Sequence, residues 1–186
     1  MTGYIVLGVV VLLVILAIVA FTKGYNKLVK LRNRVEDQWS QVDVQLKKRF
    51  DLIPNIIESV KGYAQHEKQT LNEIVELRNS ALNAKTSAEE MNADNQLSGA
   101  LNRLMVVSEA YPELKADANF RNLQDALKDV EDKIAYARQF YNDSVLKYKD
   151  ALETFPTVTI ARLCGFKPAQ FFEATATEKE VVKVQF

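Results

Sequence analysis

No charged side chain occurs between Met1 and Thr22, and Tyr4 to Phe21 is an apolar run of 18 residues in which Gly8 is the one small break. As a helix this run covers about 27 Å, close to the hydrocarbon thickness of a bilayer, and it predicts a transmembrane anchor over residues 1–22. A secretory signal peptide is the competing reading. It requires a basic segment ahead of the apolar stretch and a small-x-small cleavage site behind it, whereas Met1, Thr2 and Gly3 carry no cation and Ala17-Ile18-Val19-Ala20 is a poor cleavage match.

Beyond the span, apolar positions recur in steps of three and four, the period of a helix burying one face. Leu28, Leu31, Val35, Trp39, Val42, Leu46 and Phe50 make one stripe. Ile53, Ile57, Val60, Ala64, Leu71, Ile74 and Leu77 continue it past Pro54. Leu97, Leu101, Leu104, Val107 and Tyr111 make another, and Phe120, Leu123, Leu127, Val130, Ile134, Ala137, Tyr141, Val145, Tyr148, Leu152 and Phe155 the longest.

Breakers and caps set the boundaries. Asp51 is a candidate N-cap ahead of Pro54, Thr86 with Glu89 and Ser87 with Glu90 are overlapping capping boxes, and Asp117 or Asn119 can cap the last helix. Pro112 and Pro156 end the helices before them. The expectation is all-α: a transmembrane helix, then an antiparallel up-and-down bundle of four long helices over about residues 25–50, 54–84, 88–110 and 118–155. The apolar phase passes Pro54 without a slip, so one kinked rod and two separate helices both fit there. Only Gly24 separates the span from the first bundle helix, so these two can also form one rod.

Residues 166–186 read as a short extended tail after a bundle domain over 23–165. Phe171 and Phe172 are adjacent, and Val182, Val184 and Phe186 alternate at period two as in a strand. The tail either covers the bundle's own apolar end or docks on a neighbouring subunit.

The chain has 186 residues, 24 basic and 24 acidic side chains, one His and one Cys. Zero net charge argues against a nucleic-acid partner. A single Cys164 excludes an internal disulfide and, with a single His66, a Cys/His zinc site. The zero is unevenly distributed: Lys23, Lys27, Lys30, Arg32 and Arg34 precede the first acid at Glu36, leaving 19 basic and 24 acidic side chains in residues 35–186. Positive charge beside a span is retained on the cytoplasmic side, which places the N-terminus outside and the bundle in the cytoplasm. The same five cations either contact anionic headgroups or only set topology.

Tyr25-Asn26-x-Leu28-Val29, the block Trp39-Ser40-Gln41-Val42-Asp43 through Phe50-Asp51-Leu52-Ile53-Pro54-Asn55, and Val60-Lys61-Gly62-Tyr63-Ala64-x-His66-Glu67 resemble the signature of the LemA family. Tyr111-Pro112-x-Leu114-Lys115-Ala116, Phe120-x-x-Leu123-Gln124, Ala137-Arg138-x-x-Tyr141-Asn142, Phe155-Pro156, Gly165-Phe166 and Phe171-Phe172 agree in order over nearly the whole chain. The resemblance implies a bacterial single-span membrane protein with a helical bundle, and it implies no reaction. Lipoprotein-like members carry a cysteine just before the Gly-Tyr-Asn; here Lys23 stands in that place.

The residues suggest no catalysis. A metalloprotease helix needs a second histidine four residues after His66, and position 70 is threonine. His66 and Cys164 lack a third group to complete a nucleophile–base pair, and the simplest role for Cys164 is a small buried hydrophobe. Neither a Glu-x-x-His di-iron motif nor a phosphate-binding loop occurs, so no cofactor or metal is expected. Trp39, Asp43, Arg49 and Asn55 are either an exposed contact patch or part of ion pairs and hydrogen bonds that set helix register; Asp43 and Lys47 are i,i+4 partners. The chain thus reads as a non-catalytic scaffold or adaptor at the membrane surface, self-associating or organising lipid or other membrane proteins. The alternative, which the resemblance permits, is an accessory subunit working with a membrane protease in quality control or envelope stress.

Overall fold

The computed structural model describes residues 1–63 and 67–172. They are helical, without a strand among them: α1 (Thr2–Lys61), α2 (Lys68–Leu82), α3 (Ser87–Ser108), α4 (Pro112–Ala116), α5 (Ala118–Glu153) and α6 (Thr157–Cys164).

The apolar segment and the first expected bundle helix are one helix, and that helix does not stop at Pro54. This corrects the boundaries drawn at 25–50 and 54–84, and it places Asp51 inside α1 instead of at a cap. A proline inside a helix leaves the carbonyl four residues back without its N–H partner. Here that carbonyl is Phe50's, and the Arg78 guanidinium on α2 donates its Nε–H to it at 2.7 Å.

The other ends follow cap chemistry. The Glu89 N–H donates to the Thr86 hydroxyl at 3.2 Å, so Thr86 caps α3 as expected, while the Glu89 carboxylate completes no reciprocal bond to Thr86 and accepts instead from the Lys85 N–H at 2.8 Å. Asp117 accepts from the Phe120 N–H at 2.9 Å and caps α5. Pro112 opens the short α4 at its first turn instead of merely ending a helix. Because α5 ends at Glu153, Phe155 falls off its buried stripe and is exposed, contrary to the run read from spacing.

By its contacts the chain divides into two units. The first comprises residues 1–40 and 140–171, with α6 inside it. Its apolar segment is unburied and reaches a mean hydropathy of 3.3 over 18 residues; its core joins Leu28 and Val35 of α1 to Val145, Tyr148 and Ala151 of α5 and Ile160 and Ala161 of α6. Trp39 meets Tyr141 edge to face at 5.5 Å, and the Tyr141 hydroxyl donates to the Gln170 carbonyl at 2.8 Å. In the second unit, residues 41–139 and Phe172, the core is built by Val42, Leu46, Phe50, Ile53, Ile56 and Val60 of α1 with Ile74, Leu97, Leu101, Leu104, Leu127 and Ile134.

Candidate functional site

In the second unit α1 keeps a regular stripe: Val42, Leu46, position 49, Ile53, Ile56 and Val60, all buried. Position 49 is an arginine. On α3 the stripe Leu97, Leu101, Leu104 and Ser108 extends back one step to position 94, which is an aspartate. Both side chains are 0% exposed and form an ion pair through Arg49 Nη2 and Asp94 Oδ1. Arg138 of α5 pairs with the other carboxylate oxygen, Oδ2. Arg49 also donates to Glu131 Oε1 at 2.8 Å, to Ser98 Oγ at 2.8 Å and to the Asp94 carbonyl at 3.2 Å.

Two cations and two anions therefore balance in a cluster that draws on three helices. Burial pulls the Arg49 guanidinium below its usual range, and Glu131 opposes that pull. An arginine so placed stays charged, and each member holds the others in register. The Arg138 guanidinium lies 4.2 Å from the Phe172 ring centroid, a cation–π contact that ties the residue after α6's turn region to the cluster.

A second polar group involves α1 and α3. Lys47 donates to Asp43 at 2.8 Å. The Glu90 carboxyl is pushed up to about 7, first by burial and then by the Asp43 charge, with Lys47 acting against it.

At the end of the apolar segment, the Thr22 hydroxyl donates to the Ile18 and Val19 carbonyls, each at 3.0 Å, so its polar atom is satisfied within the helix. Lys23, Lys27, Lys30 and Arg34 are exposed and lie at steps of four, three and four, on one face of α1. Arg32 lies on another face: it pairs with Glu36 at 3.8 Å and sits 5.7 Å from the Phe166 ring, which also meets Tyr25 edge to face.

The expected patch of Trp39, Asp43, Arg49 and Asn55 is not a single exposed surface. Asp43, Arg49 and Asn55 are separated by steps of six, about 240° of helix rotation each, and point three ways. Arg49 is buried, Trp39 packs on Tyr141, and only Asn55 is fully at the surface. In the tail, Phe172 is buried on its own chain against Arg138, as in the alternative in which the tail covers its own bundle, and the Phe171 ring is exposed with Lys149 Nζ 6.0 Å from its centroid. Val182, Val184, Phe186 and His66 lie outside the described residues. Cys164 is exposed, not a buried hydrophobe, because the buried face of α6 is spent on Thr157, Ile160 and Ala161.

Asp94 and Glu131 escaped the sequence reading. The signal for Asp94 was a charged residue filling a slot of an otherwise apolar stripe, three residues before Leu97, as Arg49 does between Leu46 and Ile53. Glu131, beside Val130, carries no such mark.

The sequence model of the LemA family matches residues 38–186. Magnetosome protein MamQ of Magnetospirillum gryphiswaldense is 24% identical over 96% of this chain and 76% of its own length. Magnetosome protein MamQ 2 of Paramagnetospirillum magneticum is 24% identical over 86% of the chain and 70% of its own length. Protein LemA of Metamycoplasma hominis is 27% identical over 83% of the chain and 71% of its own length.

Proposed function

Because the chain belongs to the LemA family, we propose that it is a membrane-anchored helical scaffold or adaptor that works by binding and not by catalysis. The observation that carries the proposal is α1. One helix holds both the unburied apolar segment and, at Arg49, a member of the buried charge cluster, so the anchor and a helical core are a single element. Relatives named magnetosome protein MamQ and protein LemA match most of the chain.

The cations after Thr22 favour an N-terminus outside and helices α2 to α6 in the cytoplasm. Self-association is part of the proposal, since tethering to one plane raises the effective concentration of like surfaces. Extraction in mild detergent, followed by sizing and mass spectrometry, tests it. A large particle of this chain alone supports the scaffold; a stoichiometric second protein replaces self-association with an accessory role; a monodisperse monomer removes self-association.

A further inference from the structure

Within the first unit the height of α6 relative to the apolar segment is set by one contact. A Cβ on Gly24 would overlap the Ile160 side chain and lie 3.7 Å from the Thr157 side chain, so α6 is pressed against α1 at Gly24. Gly24 is two residues past Thr22, about 3 Å along the helix axis. If the apolar run fills the bilayer core, α6 lies at headgroup level.

The side chains presented there suit that position. Phe155 is 84% exposed and Leu163 is 76% exposed, the two highest values among the large apolar side chains described after the span. Phe155 lies just before α6 and Leu163 within it, while Thr157 and Ile160 face Gly24 of α1. An exposed phenyl ring and an exposed leucine at the edge of a soluble surface gain nothing from water. At a bilayer boundary they bury apolar area without moving the fold. Lys23 and Lys27 beside Gly24 and Arg162 and Lys167 beside Leu163 in sequence are exposed cations; Asp150 and Glu153 are exposed acids in the last turn of α5.

We propose that α6 and the preceding Phe155 form a second membrane contact, in which Phe155 and Leu163 enter the boundary between headgroups and acyl chains while Lys23, Lys27, Arg162 and Lys167 hold anionic headgroups. The contact rests on the reading of residues 1–22 as a span. It adds a second point of attachment, which limits how the protein tilts and rotates about α1.

Cys164, the chain's one cysteine, gives the test. The full chain is labelled there with a polarity-sensitive dye and reconstituted in vesicles of phosphatidylcholine and phosphatidylglycerol. A parallel sample carries the dye at Leu13→Cys in a Cys164→Ser background. The expected result is several-fold protection of the Cys164 dye from aqueous iodide, compared with free dye conjugate, and quenching by lipids with a nitroxide near the headgroup. Phe155→Ser with Leu163→Ser restores iodide access, and vesicles without phosphatidylglycerol weaken the protection in the unmodified chain. The proposal is overturned if the Leu13→Cys dye is quenched by deep nitroxides while the Cys164 dye stays fully open to iodide. If the Leu13→Cys dye is not reached by deep nitroxides, the span itself is wrong and the second contact fails with it.

Discussion

Arg78 of α2 donates its Nε–H to the main-chain carbonyl of Phe50, the carbonyl that Pro54 leaves without a helical donor. The bond explains how a helix passes through a proline, and it ties α2 to α1 at that point. Replacing Arg78 with Met leaves a carbonyl of a buried residue unpaired, at about 1–3 kcal/mol. Pro54→Ala restores an N–H at position 54, so Arg78→Met on that background costs less. A double-mutant cycle by chemical unfolding in detergent measures the difference, and equal costs in the two backgrounds would refute the proposed role of Arg78.

The charge cluster ranks its own members. Asp94 holds both arginines, and without it Glu131 is the one anion of the cluster left to balance two cations. Arg49→Met leaves Asp94 still paired with Arg138 and releases Glu131, whose side chain is 38% exposed and can hydrate. Asp94→Leu therefore destabilises more than Arg49→Met, with the first near the upper end of about 3–5 kcal/mol. The combined Arg49→Met and Asp94→Leu variant recovers part of the loss. Urea midpoints of the three variants check the order, and Arg49→Met as the most damaging change contradicts it.

The residues that were legible and those that were not differ in the range of their partners. Thr86 and Asp117 act within three or four residues along the chain, so cap patterns located the starts of α3 and α5. The stripes of α1, α3 and α5 were readable because burial repeats at every turn. Pro54 was undecidable locally, because what lets the helix continue is a side chain 28 residues along from Phe50, whose carbonyl it satisfies. Arg49 and Asp94 occupied core slots in plain view, yet a charge in such a slot looks like a surface residue until its opposite is found 45 positions along. Helix α6 is eight residues long and shows only two turns of periodicity, too few to stand out.

Glu90 predicts a pH dependence. Its carboxyl titrates near 7 in the folded protein, against an ordinary value of 4.5, so the folded state holds this proton more tightly than the unfolded chain. Its contribution is then fully present below about 4.5 and is lost as the pH rises through about 7. Facing it are Asp43, which raises the value, and Lys47, which lowers it. Glu90→Gln removes the titration, so the stability difference between the native chain and this variant shifts in favour of the variant as pH rises from 5 to 8, to about the extent this one group titrates. Melting curves across that range test it; a difference independent of pH removes Glu90 as the titrating group.

Two glycines inside helices predict opposite outcomes for the same substitution. In a helix interior, Gly→Ala ordinarily stabilises by about 0.5–1 kcal/mol through reduced chain entropy. At Gly99 of α3 the nearest atom to a new Cβ is Arg103 Nη1 at 4.0 Å, so the gain is realised. At Gly24 the new Cβ overlaps the end of the Ile160 side chain, and overpacking of this kind costs about 1–3 kcal/mol, which outweighs the entropy term. Ile160→Val removes the overlapping methyl at its own cost of about 0.5–1.5 kcal/mol. Gly24→Ala combined with Ile160→Val is therefore at least as stable as Ile160→Val alone, although Gly24→Ala by itself is destabilising. Thermal unfolding of the full chain in one detergent gives all four values. Stabilisation by Gly24→Ala alone would mean that α6 does not press on α1 at that residue, and the membrane contact assigned to Phe155 and Leu163 would lose the geometry that places it.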